Sequence, residues 1–180
     1  MEYIHTTARE DQDRKGLVRT FTGKYVNPLD LNFDDVCIED IAHHLSNICR
    51  FTGAGPFYSV AQHSVQVSWL CKGWSRDFKL AGLLHDAAEA YLNDLASPAK
   101  HAEGMETYRD AEEVATRVIF GALGANPEYL DLVKEHDDKM FQNEVEWFWG
   151  KRVGGLHIWT PEQAEREFLV EYHALRGVEQ

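Results

Sequence analysis

Three segments of the chain carry both a helix start and a helix period. Ser59-Val60-Ala61-Gln62 has the form in which a hydroxyl caps one backbone N–H while the Gln three residues on reaches back to another. Apolar residues at helical spacing follow it to about Cys71. Asn126-Pro127 puts an N-cap before a proline whose fixed φ suits the first helical position, and it opens a long helix to about Trp149. Thr160-Pro161-Glu162-Gln163 repeats the capping form and begins a last helix to about Leu175. Ile38, Ile41, Leu45, Ile48 and Cys49 fall on one helical face, and two further helices span roughly Phe78 to Leu92 and Met105 to Leu123. No series of alternating strands is present. The sequence therefore predicts an all-α fold of about six helices, a compact single domain over residues 1–180. Residues 1–36 read as irregular, with turns at Thr22-Gly23-Lys24 and Asn27-Pro28-Leu29-Asp30 and room for a short extended piece. Gly150 and Gly154-Gly155 interrupt the chain before the last helix.

Within these helices several ionisable groups sit where core residues belong. Val60, His63, Val67, Leu70 and Cys71 share one face; so do Ala81, Leu84, His85 and Ala88, with Asp86 adjacent; so do Leu130, Val133, Asp137, Met140 and Phe141. An unpaired buried charge costs several kcal/mol or more, so inward charges are paired or bind metal. A lone inward His reads as a hydrogen-bonded core histidine, and a lone Asp137 could face an arginine. Two His and two Asp from three helices suit one divalent cation, because imidazole serves transition metals and carboxylate serves harder ions such as Mn²⁺ or Mg²⁺. His63, His85, Asp86 and Asp137 are the predicted ligands. His101 is a candidate extra ligand, and Asp138 replaces Asp137 if the register shifts by one. Of His43 and His44, one is expected to pack and the other to face solvent. His136 is expected to point about 100° away from Asp137.

Charge bounds the partner. The chain has 18 Lys and Arg against 30 Asp and Glu, a net charge of −12. Such a field disfavours a nucleic-acid polymer, whose binding relies on clustered cations. A small anion remains compatible, since a metal and two or three local cations reverse the sign inside a pocket. No apolar run approaches the roughly 20 residues of a membrane span, and the N-terminus lacks the apolar stretch of a secretory signal. A cytoplasmic location is expected. Cys37, Cys49 and Cys71 have no metal-type spacing and read as reduced, with Cys49 and Cys71 on apolar helix faces.

The set His63, His85-Asp86, Asp137 resembles the H…HD…D pattern of the HD-domain metal-dependent phosphohydrolases. SVAQHSVQVS (59–68), LLHDAAEAYLNDLASPAK (83–100) and VKEHDD (133–138) look closest to the branch holding the 5'-deoxynucleotidases and the small phage deoxynucleoside triphosphohydrolases. The resemblance covers about residues 38–149. It implies a compact helical domain, one divalent ion (Mn, Co, Mg, Fe or Ni) and a deoxyribonucleotide substrate. By position it implies Glu89 as the catalytic carboxylate, Asp94 as a second catalytic or nucleotide-contacting acid, and Arg50 as a phosphate contact. It places Phe51 near the sugar, where relatives often carry Trp, an aromatic that disfavours a 2'-hydroxyl. Pro98 matches a base-packing position and Lys100 a phosphate-binding one. Glu144 stands at a spacing often seen after the last ligand. Two chemistries are open: a monophosphate yielding deoxynucleoside and phosphate, or a triphosphate yielding deoxynucleoside and triphosphate. A nucleotide-sensing module without turnover and a di-iron oxygenase are remoter alternatives. Relatives are often dimers or larger, and Trp147, Phe148, Trp149 and Trp159 offer aromatic surface for a homo-oligomer or a core.

Overall fold

A computed structural model describes residues 15–151 and 155–177. Its chain begins with a two-stranded antiparallel hairpin, β1 (Val18–Arg19) and β2 (Tyr25–Val26), in the register Val18 to Val26 and Arg19 to Tyr25. This is the extended piece anticipated before residue 36. Its tip is tied down: the Thr22 backbone N–H and hydroxyl donate to the two oxygens of Asp40, which is fully buried.

Eight α-helices follow among the described residues: α1 (Ile38–Asn47), α2 (Val60–Leu70), α3 (Arg76–Leu84), α4 (Glu89–Leu92), α5 (Ser97–Lys100), α6 (Glu106–Leu123), α7 (Leu130–Phe148) and α8 (Pro161–Arg176). Six of them have nine or more residues, and α4 and α5 are single turns. The expected all-α fold of about six helices is present. No helix among the described residues is long and apolar enough to cross a membrane.

The helix α2 is the axis of the molecule. Every residue from Val60 to Ser68 is buried, so it is enclosed on all sides rather than amphipathic. It packs on α3, α7 and α8, while α8 also covers α1 and α3. Its buried polar side chains are answered one by one. Gln62 donates to the His157 carbonyl (2.8 Å) and accepts from the Trp159 N–H (3.0 Å). Gln66 accepts from the Tyr58 hydroxyl, and Ser68 donates to Glu171.

Several local expectations differ from what forms. The Ser59 hydroxyl caps α2 by accepting from the Gln62 N–H, but Gln62 does not complete the box, because its amide is used to hold the 157–159 segment. Cys49 is not on a helix face: α1 ends at Asn47, and Cys49 lies in an isolated antiparallel bridge with Ser59. Neither His43 nor His44 faces solvent unpartnered, for His43 Nδ1 meets Glu165 (3.0 Å) and His44 spans Ala90 O (2.7 Å) and the Phe21 N–H (3.1 Å). His136 points away from Asp137 and packs edge-on against Trp74 and Phe78.

The predicted helix from Phe78 to Leu92 is broken in two. Between α3 and α4 the backbone tightens to i→i+3 bonds, with Ala87 N to Leu84 O, Glu89 N to Asp86 O and Ala90 N to Ala87 O. The cause is local: His85 Nδ1–H donates to the Gly82 carbonyl at 2.8 Å, taking the acceptor that an α-turn would use for the Asp86 N–H.

Candidate metal centre and its cavity

The side chains of His63 from α2, His85 and Asp86 from the tightened turn, and Asp137 from α7 converge on one point. His63 Nε2 lies 3.3 Å from His85 Nε2, 3.0 Å from Asp137 Oδ1 and 3.6 Å from Asp86 Oδ2. His85 Nε2 lies 3.2 Å from Asp86 Oδ2 and 3.7 Å from Asp137 Oδ1. Gly82 suits this close approach: a Cβ there would sit 3.1 Å from Cys71 Sγ, tight enough that the sulfur would have to give by a few tenths of an ångström, and 3.5 Å from the Ser68 Cα, an ordinary contact. Asp138 is exposed, so the register that selects Asp137 holds. His101 is exposed, bonded back to the Ser97 carbonyl, and outside the cluster.

The outer nitrogen of each imidazole fixes its proton. His85 Nδ1 faces a carbonyl, which can only accept, so Nδ1 carries the hydrogen. His63 Nδ1 lies 2.5 Å from Glu144 Oε1, a carboxylate that also accepts from the Tyr58 hydroxyl (2.9 Å) and, at Oε2, from Arg50 (3.2 Å). Burial opposes the charge on Glu144, and the imidazole of His63 and guanidinium of Arg50 outweigh it, holding its carboxyl below the usual range. Each neutral ring therefore presents an Nε2 lone pair inward. Two lone pairs and two carboxylates then face one another with no donor among them. Such a set demands either an added proton or a cation, and its composition of two imidazoles and two carboxylates fits a divalent transition ion. Among the described residues, His63, His85 and Asp86 offer ligand atoms that all lie within 4.8 Å of one another, and Asp137 Oδ1 stands beside both imidazoles. Without a cation, burial works against a charged His85, yet Asp86 and Asp137 prevail and raise it well above the usual histidine range. Burial likewise opposes the charge on the two acids, but the imidazoles hold both well below the usual carboxylate range.

A cavity of about 570 Å³ opens over the cluster. Asp86 and Asp137 line it on the ligand side, Arg50, Glu89, Asp94 and Lys100 supply further charge, and Phe51, Pro98, Phe141 and Trp149 form an apolar end. Every sequence-predicted site residue except the two enclosed histidines thus lines one space. A second cavity of about 490 Å³ reaches His85, Asp86, Glu89 and Lys100 from the side of α6.

The roles are not all as the sequence suggested. In the tightened turn the Glu89 N–H donates to the Asp86 carbonyl (3.0 Å), and Glu89 lies on the cavity side. Glu89 is 6% exposed, and its Oε2 is buried without a partner. Burial, then Asp86 and Asp94, raise its carboxyl well above the usual range. Burial also raises Asp94. Arg50 is turned inward, with one amino group on Glu144 and the other 3.6 Å from Asp86 Oδ2. It braces Asp86 and Glu144 as well as lining the cavity. Lys100 Nζ pairs with Glu112 at 2.5 Å. Glu144 was visible only as a spacing: it lies seven residues after Asp137, two turns along the same face of α7. Tyr58 and Glu112 carry no sequence signal of their own.

No family model matches the chain. The uncharacterized protein YfdR of Escherichia coli (strain K12) is 41% identical over 128 residues, which is 71% of this chain and 69% of that protein. The chain belongs to the YfdR family. The chain is also similar to an uncharacterized protein of Rhodobacter capsulatus, 41% identical over 118 residues, or 61% of this chain and 60% of that protein.

Proposed function

We propose that this protein is a metal-dependent phosphohydrolase of the HD-domain type that removes the 5' phosphate of a deoxyribonucleoside monophosphate. The observation that carries the reading is the convergence of two Nε2 lone pairs, locked by outer hydrogen bonds, with Asp86 and Asp137 beneath a cavity whose walls hold Arg50, Lys100 and a buried acid.

His63, His85, Asp86 and Asp137 would hold the ion. A divalent ion bound there polarises a phosphoryl oxygen and makes water a better nucleophile. The remaining chemistry falls to the chain. Glu89, buried and holding its proton to higher pH, can donate at Oε2 to the departing 5' oxygen. Asp94, on the same wall, can orient the attacking water or the sugar hydroxyl. Arg50 keeps Asp86 in place and adds positive potential beside it. Lys100 offers a cation to phosphate oxygens once it leaves Glu112. A monophosphate and a triphosphate alike would draw Lys100 away from Glu112, so product identification separates the two.

The test is product identification. With Mn²⁺ or Co²⁺, dAMP should give deoxyadenosine and phosphate, and Asp86→Ala should abolish turnover while circular dichroism and melting remain those of a folded helical protein. Intact triphosphate released from dATP would move the activity to triphosphohydrolysis. Full turnover by Asp86→Ala would sink the metal-centred reading.

A further inference from the structure

We propose that Trp149 and Phe141 form the platform on which the heteroaromatic base of the nucleotide stacks. This rests on the nucleotide reading above and assigns it residues outside the ligand and charge set. Two large rings stand half in solvent at the apolar end of the cavity, Phe141 at 48% and Trp149 at 50% exposure. Phe141 lies one helical turn after Asp137, so the helix that supplies a ligand also supplies this ring.

Both rings are braced. Phe51 stands 5.2 Å from Trp149, nearly perpendicular at 86°, and 5.9 Å from Phe141 at 34°. A Cβ on Gly55 would lie 3.3 Å from Trp149 Cζ2, so the bare backbone at Gly55 receives the edge of the indole. The loop carrying Phe51 is unusual: Phe51 and Thr52 have φ of +57° and +51°, a region costly for residues with side chains. A strained loop backing two solvent-facing rings is what a preset contact surface requires.

The cavity is two-ended. Its charged end suits a phosphate, and its other end pairs these rings with Leu95, Ala96 and Pro98. An occupant must therefore carry an anion and a flat apolar face, joined by a spacer. A nucleoside monophosphate does so, and the cavity's size falls within the usual range of about 300–1,000 Å³ for small-molecule sites. The polar side chains near that end are Thr52, Ser97 and His101, of which the Thr52 hydroxyl and His101 Nδ1 are bonded to local carbonyls. Stacking engages the face that every base has, so each of the four bases can use the platform.

The experiment is equilibrium binding to Mn²⁺-loaded protein in a Glu89→Gln background, which removes the proton donor and keeps the ligands. The probes are dAMP, dGMP, dCMP, dTMP, 2-deoxyribose 5-phosphate and inorganic phosphate. Each nucleotide should bind about tenfold or more tighter than 2-deoxyribose 5-phosphate, the usual gain from stacking one base. Trp149→Leu should erase most of that gap and leave the sugar phosphate unchanged, and Trp149→Phe should retain most of it. Equal affinity for dAMP and the sugar phosphate, or a Trp149→Leu variant that weakens both alike, would overturn the platform while leaving the phosphate reading standing. Failure of every phosphate compound to bind would overturn the nucleotide reading and the platform with it.

Discussion

Glu144 is the residue on which the centre turns, although it touches no substrate. It is fully buried and receives three donors, from His63, Tyr58 and Arg50. A carboxylate accepting from the outer nitrogen of a ligating histidine fixes its tautomer, its orientation and its basicity. Glu144→Gln replaces one oxygen with a donor amide that cannot serve His63 and Arg50 together. Metal affinity should fall by about 10- to 100-fold, read by titration of the chelated protein with Mn²⁺. Stability should also fall, because Arg50 is left buried with less charge opposite it. Metal affinity equal to that of the parent would show that His63 is oriented by packing alone.

At the scale of elements, the long helices were legible because caps and apolar period agree. The tightened turn at 85–88 was not. Its residues, His-Asp-Ala-Ala, are good enough helix formers, and the break comes from a side chain bonding back to Gly82, which periodicity does not encode. Arg50 reads from the sequence as a phosphate contact, but its inward direction was hidden, because it depends on a bridge that closes the 50–58 loop and on an acid 94 residues away. The convergence of His63, His85, Asp86 and Asp137 was readable, since inward charge on three helices has few explanations. The exit from α4 is the other element set by the site. Asn93 has φ +71° and ψ 157°, a conformation nearly confined to glycine, and it turns the chain so that Asp94 lines the cavity. Its strain costs about 1–3 kcal/mol, against about 0.5–1 kcal/mol for the added chain entropy of glycine. Asn93→Gly should therefore raise the melting temperature by a few degrees. An unchanged or lower value would mean that the Asn93 side chain compensates for its backbone.

Across the whole molecule, the four proposed ligands lie on α2, on the turn between α3 and α4, and on α7, so an ion held there would link elements far apart in sequence. An ion bound only by the folded chain adds about 2.7 kcal/mol at a free concentration of 100 times Kd. For a protein of this size that is roughly 5–10 °C of melting temperature, lost on adding a chelator. The pH dependence has a definite sign. In the chelated protein, His85 takes up a proton more readily than its unfolded value of 6.5, so its pairing with Asp86 and Asp137 stabilises below that value and fades as pH rises through the raised one. The depressed acids contribute above about 3.8, their unfolded value, and lose that contribution as pH falls through the lowered range. Chelated protein should therefore lose stability from neutral toward alkaline pH. Metal competes with the His85 proton, so its increment should grow over the same span. Melting curves at pH 6, 7 and 8, with and without chelator, should diverge as pH rises. Coincident curves at pH 8 would mean that the cluster is a proton-bridged polar core, with no part in holding an ion.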